Sequence, residues 1–184
     1  MTEYPVIGFY GNYRPTRTFD NIPFEDPETW RARLYGHIDF RLQNTFVESS
    51  LSEFIFNFKD IVGNTINAAT IEQSLLYLQH YLGFRFSHPG EVIDYLQKHR
   101  GIYDLTLYAC TLTEEEFGSR AQISLELYKD PEIDDQYLTI YVRQNEYEPD
   151  IIKKIDAICK EYASAMTGEE GYILVTTDFH PPLE

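Results

Sequence analysis

The stretch that decides the fold is Ala121-Gln122-Ile123-Ser124-Leu125-Glu126-Leu127-Tyr128, then Lys129-Asp130-Pro131-Glu132-Ile133-Asp134-Asp135, then Gln136-Tyr137-Leu138-Thr139-Ile140-Tyr141-Val142-Arg143-Gln144. The outer runs alternate. Ala121, Ile123, Leu125 and Leu127 fall on one side of an extended chain, as do Leu138, Ile140 and Val142. Gln122, Ser124, Glu126 and Tyr128 fall on the other, with Tyr137, Thr139, Tyr141 and Arg143. A period of two is that of a half-buried strand. The Pro- and Asp-rich linker is turn chemistry, so the two runs read as an antiparallel hairpin with one apolar and one polar face.

Downstream the period changes. Pro149 sits where a first helical turn would begin, and Glu148 and Asp150 suit its positive end. Ile151, Ile155, Ile158, Tyr162 and Met166 recur at helical spacing, with Ile152, Cys159 and Ala163 beside them. Gly168 is a stop signal. Tyr172–Thr177 is apolar on both faces at its centre and reads as a covered strand, ended by Pro181 and Pro182. The C-terminal half is therefore predicted as ββαβ, an α+β fold. The simplest sheet sets the last strand beside the first, in the order 2-1-3, with the helix on the apolar face.

Working back toward the N-terminus, Ile102–Phe117 (Leu105, Tyr108, Ala109, Leu112) and Glu91–His99 (Val92, Ile93, Tyr95, Leu96) are predicted helices. So is the segment capped by Thr70, whose stripe is Ile71, Leu75, Leu78 and Leu82, widened by Leu76 and Tyr81 and closed by Gly83. Ser87-His88-Pro89-Gly90 is the best boundary. It divides a mixed helix-and-strand half, residues 1–87, from the C-terminal half, residues 88–184, although one continuous domain is equally compatible with the pattern. In the first half, Pro5–Tyr10 and Ile38–Leu42 read as strands and Thr29–Tyr35 as a helix begun by Asp26-Pro27-Glu28; Leu51–Ile61 fits a helix through Leu51, Phe54, Ile55, Phe58 and Val62, or a strand through the alternation of Phe54, Phe56 and Phe58.

Charge is uneven. The 184-residue chain carries a net −15, and residues 90–184 alone hold 20 acidic against 8 basic side chains. Nucleic-acid binding depends on neutralising phosphates, so this balance argues against it and toward a basic partner or simple solubility. The 15 Tyr and 12 Phe exclude a disordered chain, because disorder needs few aromatics. No apolar run is long enough to span a bilayer and Met1-Thr2-Glu3 opens no leader, so a cytoplasmic protein is expected.

Chemistry-bearing motifs are sparse. His37, His80, His88, His99 and His180 show no zinc spacing. Asp130, Glu132 and Asp134 alternate as cation ligands would, but Asp135 and Tyr141 stand where a calcium loop needs Gly and an acid. Cys110 and Cys159 lie in apolar helical patterns and read as buried free thiols. No metal or cofactor is expected. Asp178 and His180, just past the last strand, are the catalytic candidates, since an Asp can orient a nearby imidazole. The binding candidates are Glu126, Tyr128, Tyr137, Thr139, Tyr141 and Arg143 on the polar hairpin face, and Tyr13, Arg14 and Arg17 in an aromatic–cationic loop; the hairpin face is expected first to be covered by residues 1–87, whose Phe and Tyr need burial, and second to meet a second copy or a partner.

Ile123–Glu132, Tyr137–Arg143 and Leu174–Pro182 together resemble a group of small uncharacterised bacterial α+β proteins that pair a hairpin with a helix and a closing strand. The resemblance implies a bacterial source; it supplies no activity, cofactor or catalytic residue. Three functions stay open on the sequence. The first is a non-enzymatic acidic interaction protein using the tyrosine-rich face toward a protein partner or a second copy. The second is a hydrolase-like enzyme whose site draws on Asp178, His180 and the hairpin acids. The third is a small-molecule sensing domain between the halves.

Overall fold

The computed structural model describes residues 68–133 and 135–183. The elements predicted within residues 1–67, and the candidates Tyr13, Arg14 and Arg17, lie outside the described residues.

Among the described residues, four helices and a three-stranded sheet make an α+β fold: α1 (Ala68–Tyr81), α2 (Pro89–Lys98), α3 (Tyr103–Phe117), β1 (Gln122–Lys129), β2 (Gln136–Arg143), α4 (Ile151–Ala163) and β3 (Ile173–Thr176). One apolar core runs from Ile71 and Leu78 of α1 through α2 and α3 to Leu125, Ile140, Ile155 and Val175.

The helix α3 is buried on nearly every side, from Tyr103 through Leu107, Ala109 and Cys110 to Phe117. A helix apolar all round belongs inside a core. Its polar residues are reconciled with burial locally. Thr106, Thr111 and Thr113 donate their hydroxyls to the carbonyls of Ile102, Leu107 and Ala109, one turn back, at 2.7–2.9 Å. The Tyr103 hydroxyl shares a 2.5 Å bond with Ser74 of α1, and burial pushes its pKa up to about 12, so it remains protonated.

In α1 the stripe of Ile71, Leu75 and Leu78 is buried as expected, and Gly83 turns the chain with a φ of +69°. Two expectations need correction. Leu76 and Tyr81 are 47% and 48% exposed, because a helix packed on one side covers a single stripe and these two flank it. The helix also begins at Ala68, so Thr70 lies inside it and its carbonyl accepts the Ser74 hydroxyl.

The hairpin pairs in the phase read from the alternation: Leu125 opposite Ile140, Glu126 opposite Thr139, Tyr128 opposite Tyr137. Its turn is held by Asp130, whose Oδ1 accepts the N–H groups of Glu132 and Ile133 at 2.8 and 3.2 Å. That use of an Asp side chain is a turn device. Leu125, Leu138, Ile140 and Val142 are all at 0% exposure, beneath the helical layer.

The strand order is β1-β2-β3, with β3 parallel to β2, not the expected 2-1-3. The reason lies at the outer edge of β1. There Arg85 donates its N–H to the Ile123 carbonyl at 2.9 Å and accepts the Leu125 N–H at 3.0 Å. With that edge occupied by the chain leaving α1, the free edge of β2 takes β3, and α4 becomes the crossover between parallel neighbours.

The helix α4 buries Ile151, Ile155, Ile158 and Tyr162. It starts after Pro149, with Asp150 as its N-cap residue, and ends at Ala163, so Met166 falls beyond it. Gly168 follows, with a φ of +94°.

Candidate functional site: the polar face of the sheet

Alternation puts Ser124, Glu126 and Tyr128 of β1 and Tyr137, Thr139, Tyr141 and Arg143 of β2 on the sheet face opposite the apolar one. The residues beyond β3 join them. After Thr176 the chain crosses the end of the sheet and reaches β1, where Gln122 forms a reciprocal pair with Leu183: its Oε1 accepts the Leu183 N–H and its Nε2 donates to the Leu183 carbonyl, at 2.8 and 2.9 Å. Arg85 also donates to that carbonyl. Residues 177–183 thus form a strap across the β1/β2 end.

Arg143 is the hub beneath the strap. Its Nε donates to Asp178 Oδ2 at 2.9 Å and its Nη2 lies 2.8 Å from the same oxygen. Its Nη1 donates to Ser124 Oγ at 2.9 Å and to Glu126 Oε1 at 3.2 Å, and Ser124 donates to that same Oε1 at 2.6 Å. The guanidinium carbon sits 4.6 Å from the centre of the Tyr141 ring, a cation–π distance. Burial alone would lower the Arg143 pKa, but its bonds to Asp178 and Glu126 outweigh burial and raise it. For Asp178 the signs reverse: burial pushes upward, while the Arg143 bond and the His180 N–H prevail and hold the carboxyl below its ordinary value.

At the hairpin end the rings form their own group. Tyr128 and Tyr137 meet across the strands as a tilted pair with ring centres 4.9 Å apart, and Tyr137 meets Tyr172 edge to face at 5.8 Å. Burial, followed by the neighbouring hydroxyls and Asp135, pushes Tyr137 up to about 12. Burial and then the Glu126 and Asp178 charges raise Tyr141. Both phenols therefore stay neutral near pH 7 and can donate.

Between these two ends lies Thr139. It is 1% exposed, and among the described residues its Oγ1 has no hydrogen-bond partner. Its neighbours on this face are Tyr137 and Tyr141 along β2, Glu126 across β1 and Leu174 across β3.

The six hairpin candidates thus lie on one face, and Asp178 joins them. His180 stands at its margin: its Nδ1 is 3.4 Å from Asp178 Oδ2, and its side chain is 75% exposed. The hairpin acids Asp130 and Glu132 sit at the far end of the strands from Arg143 and Asp178, so the acids invoked for a hydrolase do not converge. Sequence reading missed Tyr147 and Tyr172. Tyr147 anchors the strap by donating to the His180 carbonyl at 2.6 Å, and Tyr172 completes the ring group. Tyr147 lies between the predicted elements, and Tyr172 opens a predicted strand that is apolar on both faces, so no alternation assigns it to this group.

The edge of β3 is also closed. At Val175 the N–H donates to the Tyr162 hydroxyl at 3.2 Å and the carbonyl accepts the Cys159 thiol at 3.6 Å. Cys159 and Cys110 are both free, and burial raises both thiols.

No family model, curated protein or solved structure matches the chain. No described helix is long and apolar enough to cross a membrane.

Proposed function

We propose that this is a non-enzymatic interaction protein that binds a basic protein partner through the polar, tyrosine-bearing face of its sheet. The observation that carries the reading is Thr139. A threonine hydroxyl buried on a central strand without a partner costs about 1–3 kcal/mol, and it sits among Tyr128, Tyr137 and Tyr141 on the face opposite the helices. A structure that tolerates such a cost has a use for the exposed alternative, a hydroxyl bonded to something else.

Two further features favour a face over an edge. Arg85 closes the outer edge of β1, and Tyr162 with Cys159 closes that of β3, which leaves little backbone for strand addition. Tyrosine suits contact surfaces because it supplies a large rigid area at small entropic cost. The net −12 of residues 90–184 favours a basic partner.

The test is a set of defined 15-residue peptides, basic and acidic, titrated against the full chain at low and physiological salt. Basic peptides should bind, and more weakly as salt rises. Binding should be lost in the double variant Tyr128→Ser/Tyr137→Ser and kept in Ile152→Ser, which alters an exposed position on α4. Binding that ignores the face variant would sink the reading. Concentration-dependent mass in light scattering would point instead to a second copy as the occupant.

A further inference from the structure

Among the described residues the charge on the polar face does not balance. Glu126 and Asp178 contribute two carboxylates and Arg143 one guanidinium, all within one bonded group. Every bond that Glu126 receives, from Arg143 and from Ser124, lands on Oε1. Among the described residues its Oε2 is left uncommitted, on the residue directly across from Thr139. Two acceptors therefore belong to one cross-strand pair, one charged and one neutral. Along β2 they are flanked by Tyr137 on one side and Tyr141 on the other.

We propose that this pair is the receptor for one arginine side chain of the basic partner, an inference that rests on the functional reading above. A guanidinium presents donors in a fixed plane, so one group can serve Glu126 Oε2 and Thr139 Oγ1 together. It also stacks on aromatic faces, and tyrosines bound the position along the strand. The local charge then closes at zero. An acidic side chain would add a third carboxylate beside Glu126 and Asp178, and an apolar one would leave Thr139 without a partner. Thr139 is only 1% exposed, so entry asks the side chains around it to change rotamer, a common adjustment at interfaces.

The experiment uses the full chain and two labelled peptides of equal length and charge, a Gly-Ser frame carrying either arginines or lysines, followed by fluorescence anisotropy. The arginine peptide should bind the wild-type protein more tightly than the lysine peptide. Thr139→Val, which keeps shape and removes the hydroxyl, should weaken it about fivefold. Glu126→Gln should weaken it about tenfold or more. Melting curves of both variants establish that they are folded. If the arginine peptide binds wild type and both variants equally, the receptor pair is wrong while the face reading survives. If the lysine peptide binds equally well, the arginine assignment falls. If neither peptide binds the wild-type protein, the functional reading has failed first.

Discussion

The Tyr162 hydroxyl accepts the Val175 N–H at 3.2 Å and donates to Cys159 Sγ at 3.4 Å, while Cys159 donates to the Val175 carbonyl. Two side chains of α4 thereby bond the backbone of β3 at Val175 where a neighbouring strand would. An edge strand left bare invites pairing with another chain. Here the helix that links β2 to β3 also seals β3. Burial raises the Tyr162 pKa far above its ordinary value, so its hydroxyl is always available to donate.

Tyr162→Phe should therefore destabilise the fold by about 1–3 kcal/mol, the cost of stranding a buried N–H. Urea unfolding reads the loss. Hydrogen exchange at Val175 locates it, since that amide should exchange faster while amides in α1 keep their protection. Equal stability and equal exchange would show that the edge is not held by this hydroxyl.

A second prediction concerns Arg143, 6% exposed beneath the strap. Arg143→Met leaves Glu126 and Asp178 without their shared cation. Breaking a fully buried pair costs ~3–5 kcal/mol; with both carboxylates part-exposed, a loss of about 2–3 kcal/mol is expected. The pH dependence carries the sign. The Asp178 carboxyl is held below its unfolded value, so its contribution is fully present above about pH 4. It is lost as the pH falls through the depressed native value. The gap between wild type and variant should be widest near neutrality and should narrow on acidification. A gap that is constant with pH would mean that the variant acts through packing alone.

How far the chain could be read from its residues follows from where the deciding information lies. The hairpin phase and the α4 stripe were legible because burial imposes a period on contiguous residues; Leu125 and Ile140 are fully buried and Ile155 nearly so, as their spacing demands. The order of the strands was not legible. It depends on Arg85, thirty-eight residues before its partner Ile123 in no periodic way, occupying an edge that looked open. The same division holds for the site. Alternation alone placed Glu126, Tyr137, Thr139, Tyr141 and Arg143 on one face. Nothing local told that Asp178 would cross to Arg143, because the strap's path is set by Gln122 and Tyr147, far from it in the chain. Nor does any pattern mark a threonine as unpartnered, which is a property of what surrounds it.

Two glycines give a paired prediction about tight packing. A Cβ on Gly171 would lie 2.8 Å from His99 Cβ and 2.8 Å from Ile102 Cδ1, where Ile102 is fully buried. Neither neighbour can retreat easily, so Gly171→Ala should cost about 1–3 kcal/mol through overpacking. The three atoms nearest a Cβ on Gly101 all belong to the Glu169 carboxylate, the far end of an exposed side chain. Gly101→Ala should stay within about 0.5 kcal/mol of wild type. Thermal melts of the two variants side by side decide it, and equal losses would contradict the difference in their surroundings.

The last prediction separates stability from binding at Thr139. Its hydroxyl is buried with no partner among the described residues, and valine has the same shape without the polar atom. Removing an unsatisfied group relieves a cost of about 1–3 kcal/mol. Thr139→Val should therefore raise the melting temperature, against the usual result that a core substitution lowers it. Glu126 and Leu174, its cross-strand neighbours, are untouched by the change, so no pairing is lost in exchange. The same variant should bind an arginine peptide more weakly. A gain in stability joined to a loss of binding is the signature of a group kept for a partner. A fall in melting temperature would instead mean that the hydroxyl is satisfied in solution, by an ordered water, and would remove the physical ground for placing the partner there.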